Sequence, residues 1–129
     1  MEIKTHRAIS RKLVGVPVEI VEGVKALAEL TTTGDMAADS TGLIHGGFIF
    51  SLADYAAMLA VNQPNVVLGQ AQARFTASVR VGETMKAEAI IAKTDGRKTE
   101  VNVDVKVDDK KVLTGSFICY TLEKHVFDK

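Results

Sequence analysis

Residues 99–107 read TEVNVDVKV, with Val101, Val103, Val105 and Val107 at every second position and Glu100, Asn102, Asp104 and Lys106 between them. A period of two is that of an extended strand, so one face of the sheet meets a core and the other meets water. Comparable segments lie on either side. VVLGQAQARFTASV alternates through Ala71, Ala73 and Phe75, ETMKAEAIIAKT follows Gly82, and VLTGSFICYTLE closes the series, with turns predicted at residues 95–97 and 108–110. Nearer the N-terminus, Glu22-Gly23 separates two stretches within residues 16–33, the second alternating through Val24, Ala26, Ala28 and Leu30, which reads as a hairpin.

One segment has another period. From Gly46 or Gly47 to about Asn62 the pattern is helical, with Phe48, Leu52, Ala56 and Leu59 near one face, Ala53, Ala57 and Ala60 beside it, and Pro64 beyond its end. Apolar residues fill much of the remaining circumference, as expected of a helix buried by its surroundings. Strands of roughly ten to twelve residues would span about 35 Å, twice the usual length. The predicted fold class is therefore α+β: a long, curved antiparallel sheet wrapped around one central helix, in a single domain over residues 1–129. A one-layer wrap leaves its sheet edges open, and pairing two copies edge to edge is the usual remedy, so a homodimer is expected.

Composition narrows the function classes. Sixteen basic and sixteen acidic residues, scattered along the chain, leave no electrostatic footprint for nucleic acid or an anionic membrane. The N-terminal MEIKTHRAISRKL lacks an apolar core of the leader type, and the longest apolar stretch is broken by Ser51, Asp54 and Tyr55, so a cytoplasmic location is expected. The single cysteine, Cys119, excludes an internal disulfide and reads as a small buried apolar residue; no Cys/His spacing suggests a metal, and none is expected. His125 and the C-terminal tail are expected at the surface, outside the mechanism.

Two features carry chemistry. The loop GDMAADSTGLIHGG ends in two glycines at a helix start, where first-turn amides lack intrahelical partners and the positive end of the helix dipole lies behind them. That arrangement suits a carbonyl oxygen gaining negative charge, although Gly46-Gly47 could equally serve only to turn the chain, and His45 only to bond nearby backbone. Asp54 follows Gly47 by seven residues, two helical turns, on roughly the same side of the helix. The axial separation of roughly 10 Å is too long for one helix to grip a small group with both. Two antiparallel helices in a dimer could set Asp54 of one chain opposite Gly47 of the other. A carboxylate on so apolar a helix is costly to bury, and burial raises its pKa towards a value useful for a base or nucleophile.

GLIHGGFIFSLAD on a helix, followed by four long strands with FTASVRVGE between the first two, resembles the hotdog-fold acyl-CoA thioesterases, in particular the phenylacetate-pathway type, over nearly the whole chain. The resemblance implies a helix wrapped by an antiparallel sheet, a dimer with a continuous sheet, and pairing of dimers into tetramers. It implies that the Gly47 amide polarises the thioester carbonyl and that Asp54 acts as base or nucleophile from the partner chain. Coenzyme A would enter as part of the substrate, with no separate cofactor. In many members an asparagine stands six residues before the histidine; here that position is Asp39, which cannot donate a hydrogen bond when ionised, so Asp39 takes a different role, Ser40 or Thr41 substitutes, or activity is weakened. His45, Gly46, Phe48, Tyr55 and Met58 are the expected surroundings of the acyl group. Gln70 stands where some members place a serine or threonine, Ser78 replaces a common proline, and Arg74, Arg80, Arg97 and Lys98 are candidates for the nucleotide phosphates.

The alternative to catalysis is an acyl-CoA-binding sensor. RFTASVRVGE and GRKTEVNV are also similar to the effector domain of bacterial fatty-acid-synthesis repressors, which carry an added DNA-binding segment that these 129 residues lack. A hotdog dehydratase ranks last, because His45 precedes the helix instead of lying on it.

Overall fold

The computed structural model describes residues 1–128. A hairpin of β1 (Val16–Val21) and β2 (Lys25–Thr31) opens the fold, after a single short helical turn, α1 (Arg11–Val14). The central helix α2 (Gly46–Val61) follows, and then β3 (Val66–Phe75), β4 (Thr84–Asp95), β5 (Lys98–Val107) and β6 (Lys110–Thr121). All six strands form one antiparallel sheet in the order β1-β2-β4-β5-β6-β3, and α2 packs against every one of them. This is the hotdog fold.

Side-chain size explains the wrap. Ala26 and Ala28 of β2 and Ala87 and Ala89 of β4 face Ala53, Ala56, Ala57 and Ala60 of α2 in one buried core, so sheet and helix axis approach closely. Val101, Val103 and Val105 of β5 and Phe117 of β6 complete the same core. The period-two pattern of β5 survives as strict alternation, its four valines and Thr99 buried and Lys98, Glu100, Asn102, Asp104 and Lys106 turned outwards.

Two terminal features position the site. Asn62 closes α2 in the left-handed region at φ 50°, and its amide N–H bonds the Met58 carbonyl at 2.8 Å. Its buried side chain donates to the Glu2 carbonyl at 2.8 Å and accepts from the Lys4 amide at 2.9 Å, which ties the N-terminal segment across the end of the helix. Gly15, at φ 135°, lets the chain pass between α2 and β2: a Cβ there would lie 2.8 Å from Leu52 Cδ1 and 3.0 Å from the Glu29 carbonyl oxygen.

The two sheet edges differ. β1 is short, carries Pro17, and is kinked between Pro17 and Glu19, all features that discourage pairing with another chain. β3 is ten residues long, mostly exposed, and free of proline.

Candidate active site

The loop before α2 is held by its own backbone and by one carboxylate. Ala38 N–H bonds the Leu43 carbonyl at 2.7 Å, His45 N–H the Met36 carbonyl at 2.9 Å, and Ile44 N–H the Val79 carbonyl at 2.9 Å. Asp39 Oδ1 accepts from Thr41 Oγ1 at 2.6 Å, Thr41 N at 2.9 Å and Leu43 N at 3.4 Å. These bonds, the Thr41 hydroxyl first, hold its carboxyl below the ordinary carboxylate range. Asp39 is thus an ionised acceptor within its loop, and the Thr41 hydroxyl is spent as its donor.

His45 stands at the N-cap of α2 with no side-chain capping bond, and its ring meets Phe48 edge-on, centroids 6.3 Å apart. Both glycines have neighbours where a side chain would be. A Cβ on Gly46 would touch the Phe75 ring at 3.4 Å, and one on Gly47 would lie 3.1 Å from His45 Cδ2. The room that the glycines create is taken by two rings of the same chain, while their amides keep the outward, unpaired direction of a first helical turn.

Asp54 lies two turns further along α2. One carboxylate oxygen, Oδ1, is sealed from solvent and has no hydrogen-bond partner, and burial pushes the carboxyl up to about 6. Asp54 opens on a cleft of about 370 Å³ bounded by Thr5 and His6, by residues 64–68, and by His125 and Val126. Cys119 is near enough to be influenced by it: burial, and after that the Asp54 charge, push the thiol up to about 12, leaving it inert as a nucleophile.

The strain at Asp54 has a thermodynamic sign. Its folded value of about 6 lies above the ordinary 3.8, so the folded state binds the proton more tightly than the unfolded chain. That contribution is complete below about pH 4 and is lost as pH rises through about 6, a swing of about 3 kcal/mol. Asp54→Asn is therefore expected to stabilise the protein at pH 8 by about 2–3 kcal/mol and to leave it unchanged at pH 4. Urea unfolding at both pH values measures this; equal differences at the two would remove burial of the charge as the cause.

Other sequence candidates scatter. Tyr55 and Met58, expected beside the acyl group, are 2 % and 0 % exposed and belong to the protomer's core, with the His6 ring 6.5 Å from that of Tyr55. Phe48 is half-buried against the core. Gln70 is exposed on β3 just past an irregularity at Leu68/Gln70. Arg74 lies on the outer face of the sheet in a polar groove with Gln72, Asn102, Asp104 and Lys111, away from the helix-facing side. Arg97 is paired with Glu123. Lys98 shares a small hollow with Lys93, Asp95 and Glu100. Arg80 borders a cleft of about 490 Å³ with Thr41, Leu43, Ser78, Glu83 and Lys110, beside the loop that precedes α2. Sequence reasoning missed Thr5, His6 and Phe75, and it set His125 aside although the tail brings it to the Asp54 cleft.

The chain thus joins a hotdog wrap to paired glycines at the helix start and a buried carboxylate two turns on. The chain belongs to the thioesterase superfamily, whose family model matches residues 41–114, a span that includes both features. Its structure superposes on that of an uncharacterised protein, PH1136, from Pyrococcus horikoshii with a TM-score of 0.96, 53% sequence identity, and coverage of 99% of this chain and 98% of that one. In sequence it is 45% identical over 117 residues to the methylthioribose-1-phosphate isomerase of Aquifex aeolicus, spanning 91% of this chain and 25% of that protein. It is 28% identical over 126 residues to the transcription factor FapR of Caldanaerobacter subterraneus, spanning 98% of this chain and 63% of that factor. The chain thus spans between a quarter and two thirds of these curated relatives. Among the described residues no helix is long and apolar enough to cross a membrane.

Proposed function

We propose that the protein is an acyl-CoA thioesterase whose site is shared between two protomers, hydrolysing the thioester of an acyl- or aryl-coenzyme A. Asp54 carries this reading: a carboxylate with one sealed, unpartnered oxygen and a pKa of about 6 is poised to take a proton near neutral pH. Placing a charge there costs stability, and a ligand-binding fold alone does not require that cost.

The free β3 edge supports the shared site. The Asp54 cleft borders Val66, Val67 and Leu68 at one end of β3, while Phe75 at the other end covers Gly46. Two copies pairing antiparallel along β3 would lay the first end of one strand against the last end of the other. Each Asp54 cleft would then gain the partner's Phe75 and helix N-terminus as its missing wall. The partner's Gly47 amide would hold the carbonyl oxygen as charge develops, and Asp54 would activate water or attack the carbon itself. Dimers of this kind are expected to pair further into tetramers.

A second reading, an acyl-CoA-responsive regulator, is favoured by the similarity to FapR over 98% of this chain. One assay separates the two. Release of free thiol from a panel of thioesters from acetyl- to palmitoyl-CoA, with an aryl-CoA included, is expected to show turnover on at least one member. Tight binding across the panel with no thiol released would overturn the catalytic reading and leave the regulator.

A further inference from the structure

The Asp54 cleft contains an imidazole that the mechanism above does not use. His6 reaches it from the N-terminal segment, which is tied down by the Asn62 bonds with Glu2 and Lys4 and by the Lys4–Glu22 ion pair at 2.9 Å. At φ 50° His6 stands in the left-handed region, which His enters more readily than most side chains and which fixes the direction its ring leaves the segment. Its ring is half-buried with the Tyr55 ring 6.5 Å away.

The ring's orientation is set by Thr5, whose Oγ1 lies 2.7 Å from His6 Nδ1. Thr5 is 3% exposed, so its hydroxyl proton needs an acceptor within the protein. Donation from Thr5 to Nδ1 satisfies it, and the ring proton then sits on Nε2. Burial alone lowers the His6 pKa, which favours the neutral ring near pH 7. His125, the other imidazole at the cleft, accepts from Phe127 N–H at 3.0 Å through Nδ1 and is turned to its own tail. Asp54 lines the same cleft, one carboxylate oxygen sealed away without a donor and the group as a whole reaching the lining. The two residues share a lining without a hydrogen bond between them, and the cleft has room for water.

Resting on the thioesterase reading, we propose that His6 is a second catalytic residue: Nε2–H donates to the attacking water, and that water donates to the Asp54 carboxylate where it faces the cleft. Attack transfers the water proton to the Asp54 carboxylate as the water oxygen bonds to the thioester carbon. Collapse of the adduct breaks the C–S bond, and the departing thiolate takes the proton from Asp54. Both side chains end as they began. Because the carboxylate works through water, no acyl-enzyme anhydride forms at Asp54.

The titratable groups at the cleft are Asp54, His6 and His125, with Tyr55 behind His6 and Cys119 near Asp54. His6→Leu is expected to lower kcat 10- to 100-fold with KM within about twofold. His6→Gln, whose side-chain amide can replace Nε2–H as donor, is expected to recover most of kcat, and thermal unfolding of both variants checks the fold. Carbon-13 NMR of the Asp54 carboxyl supplies a readout that needs no turnover. Loss of a water-relayed donor disfavours the charged form, so Asp54 should titrate higher in His6→Leu and return to its original value in His6→Gln. Wild-type protein that cleaves no thioester sinks the thioesterase reading, and the titration then decides the water bridge by itself. A folded Leu variant with unchanged kcat, or a Gln variant no better than Leu in either readout, overturns the role of His6.

Discussion

Asp54→Asn is expected to lower kcat by three orders of magnitude or more, about 4 kcal/mol or more in the barrier, while the protein remains folded and binds acyl-CoA. The amide has nearly the shape of the carboxyl, yet it cannot take a proton from water or attack a carbonyl. A steric account of the loss is thereby removed. The pH profile carries a second, independent signature. Only the carboxylate is competent, and with a pKa of about 6 it is mostly ionised at pH 8 and about a tenth ionised at pH 5. Wild-type turnover should therefore rise about tenfold between those values and level off above pH 7. Any residual activity of the variant should lack that limb. Retention of more than a tenth of wild-type kcat, or an acid limb that survives the substitution, would assign the base elsewhere. The same change should raise stability at pH 8, so loss of activity and gain of stability from one atom replacement would together mark Asp54 as strained for function.

The elements were legible where their own periodicity imposes them. TEVNVDVKV becomes β5 because its valines alone can face the core, and the alanine-rich α2 segment could only be a helix enclosed on all sides. Asp54 stood out by the same logic, as a charge on an apolar helix. What the sequence concealed is what depends on distant partners. Residues 1–6 have no pattern of their own, and their place follows from two bonds to Asn62, some sixty positions away. His6 therefore reached the site unannounced. Tyr55 and Met58 sit on the same apolar helix as the predicted site, and only the segments folded around that helix, the N-terminal one beside Tyr55 among them, decide that they are enclosed. Arg74 and Phe75 are adjacent on β3, yet one lies in the outer groove and the other covers Gly46, a split that strand alternation could have suggested. The turn that Asp39 builds with Thr41, two positions on, is local and so within reach of the sequence.

Mixing two inactive variants is expected to restore activity if the site spans two chains. Gly47→Pro deletes the backbone N–H proposed to hold the thioester oxygen while the substituted position stays within the first helical turn, where that N–H has no intrahelical partner. Loss of one such donor costs about 100- to 1,000-fold in kcat. A Gly47→Pro chain still carries Asp54, and an Asp54→Asn chain still carries the Gly47 amide. When the two are unfolded together and refolded at equal concentration, half of the dimers are mixed. In each mixed dimer one site combines the intact Asp54 of one chain with the intact Gly47 of the other, while the second site carries both lesions. The mixture should therefore recover about a quarter of wild-type turnover, far above either parent. Size-exclusion chromatography of each parent establishes that it folds and pairs before mixing. Roughly 10 Å of helix axis separates Gly47 from Asp54 within one chain, so a site confined to that chain would need a substrate stretched between them. Such a site would leave the mixture at the sum of its two parents. Substitutions in β3 that keep the protomer folded but abolish pairing should remove the restored activity along with the wild-type activity, because each cleft would lose the wall supplied by its partner.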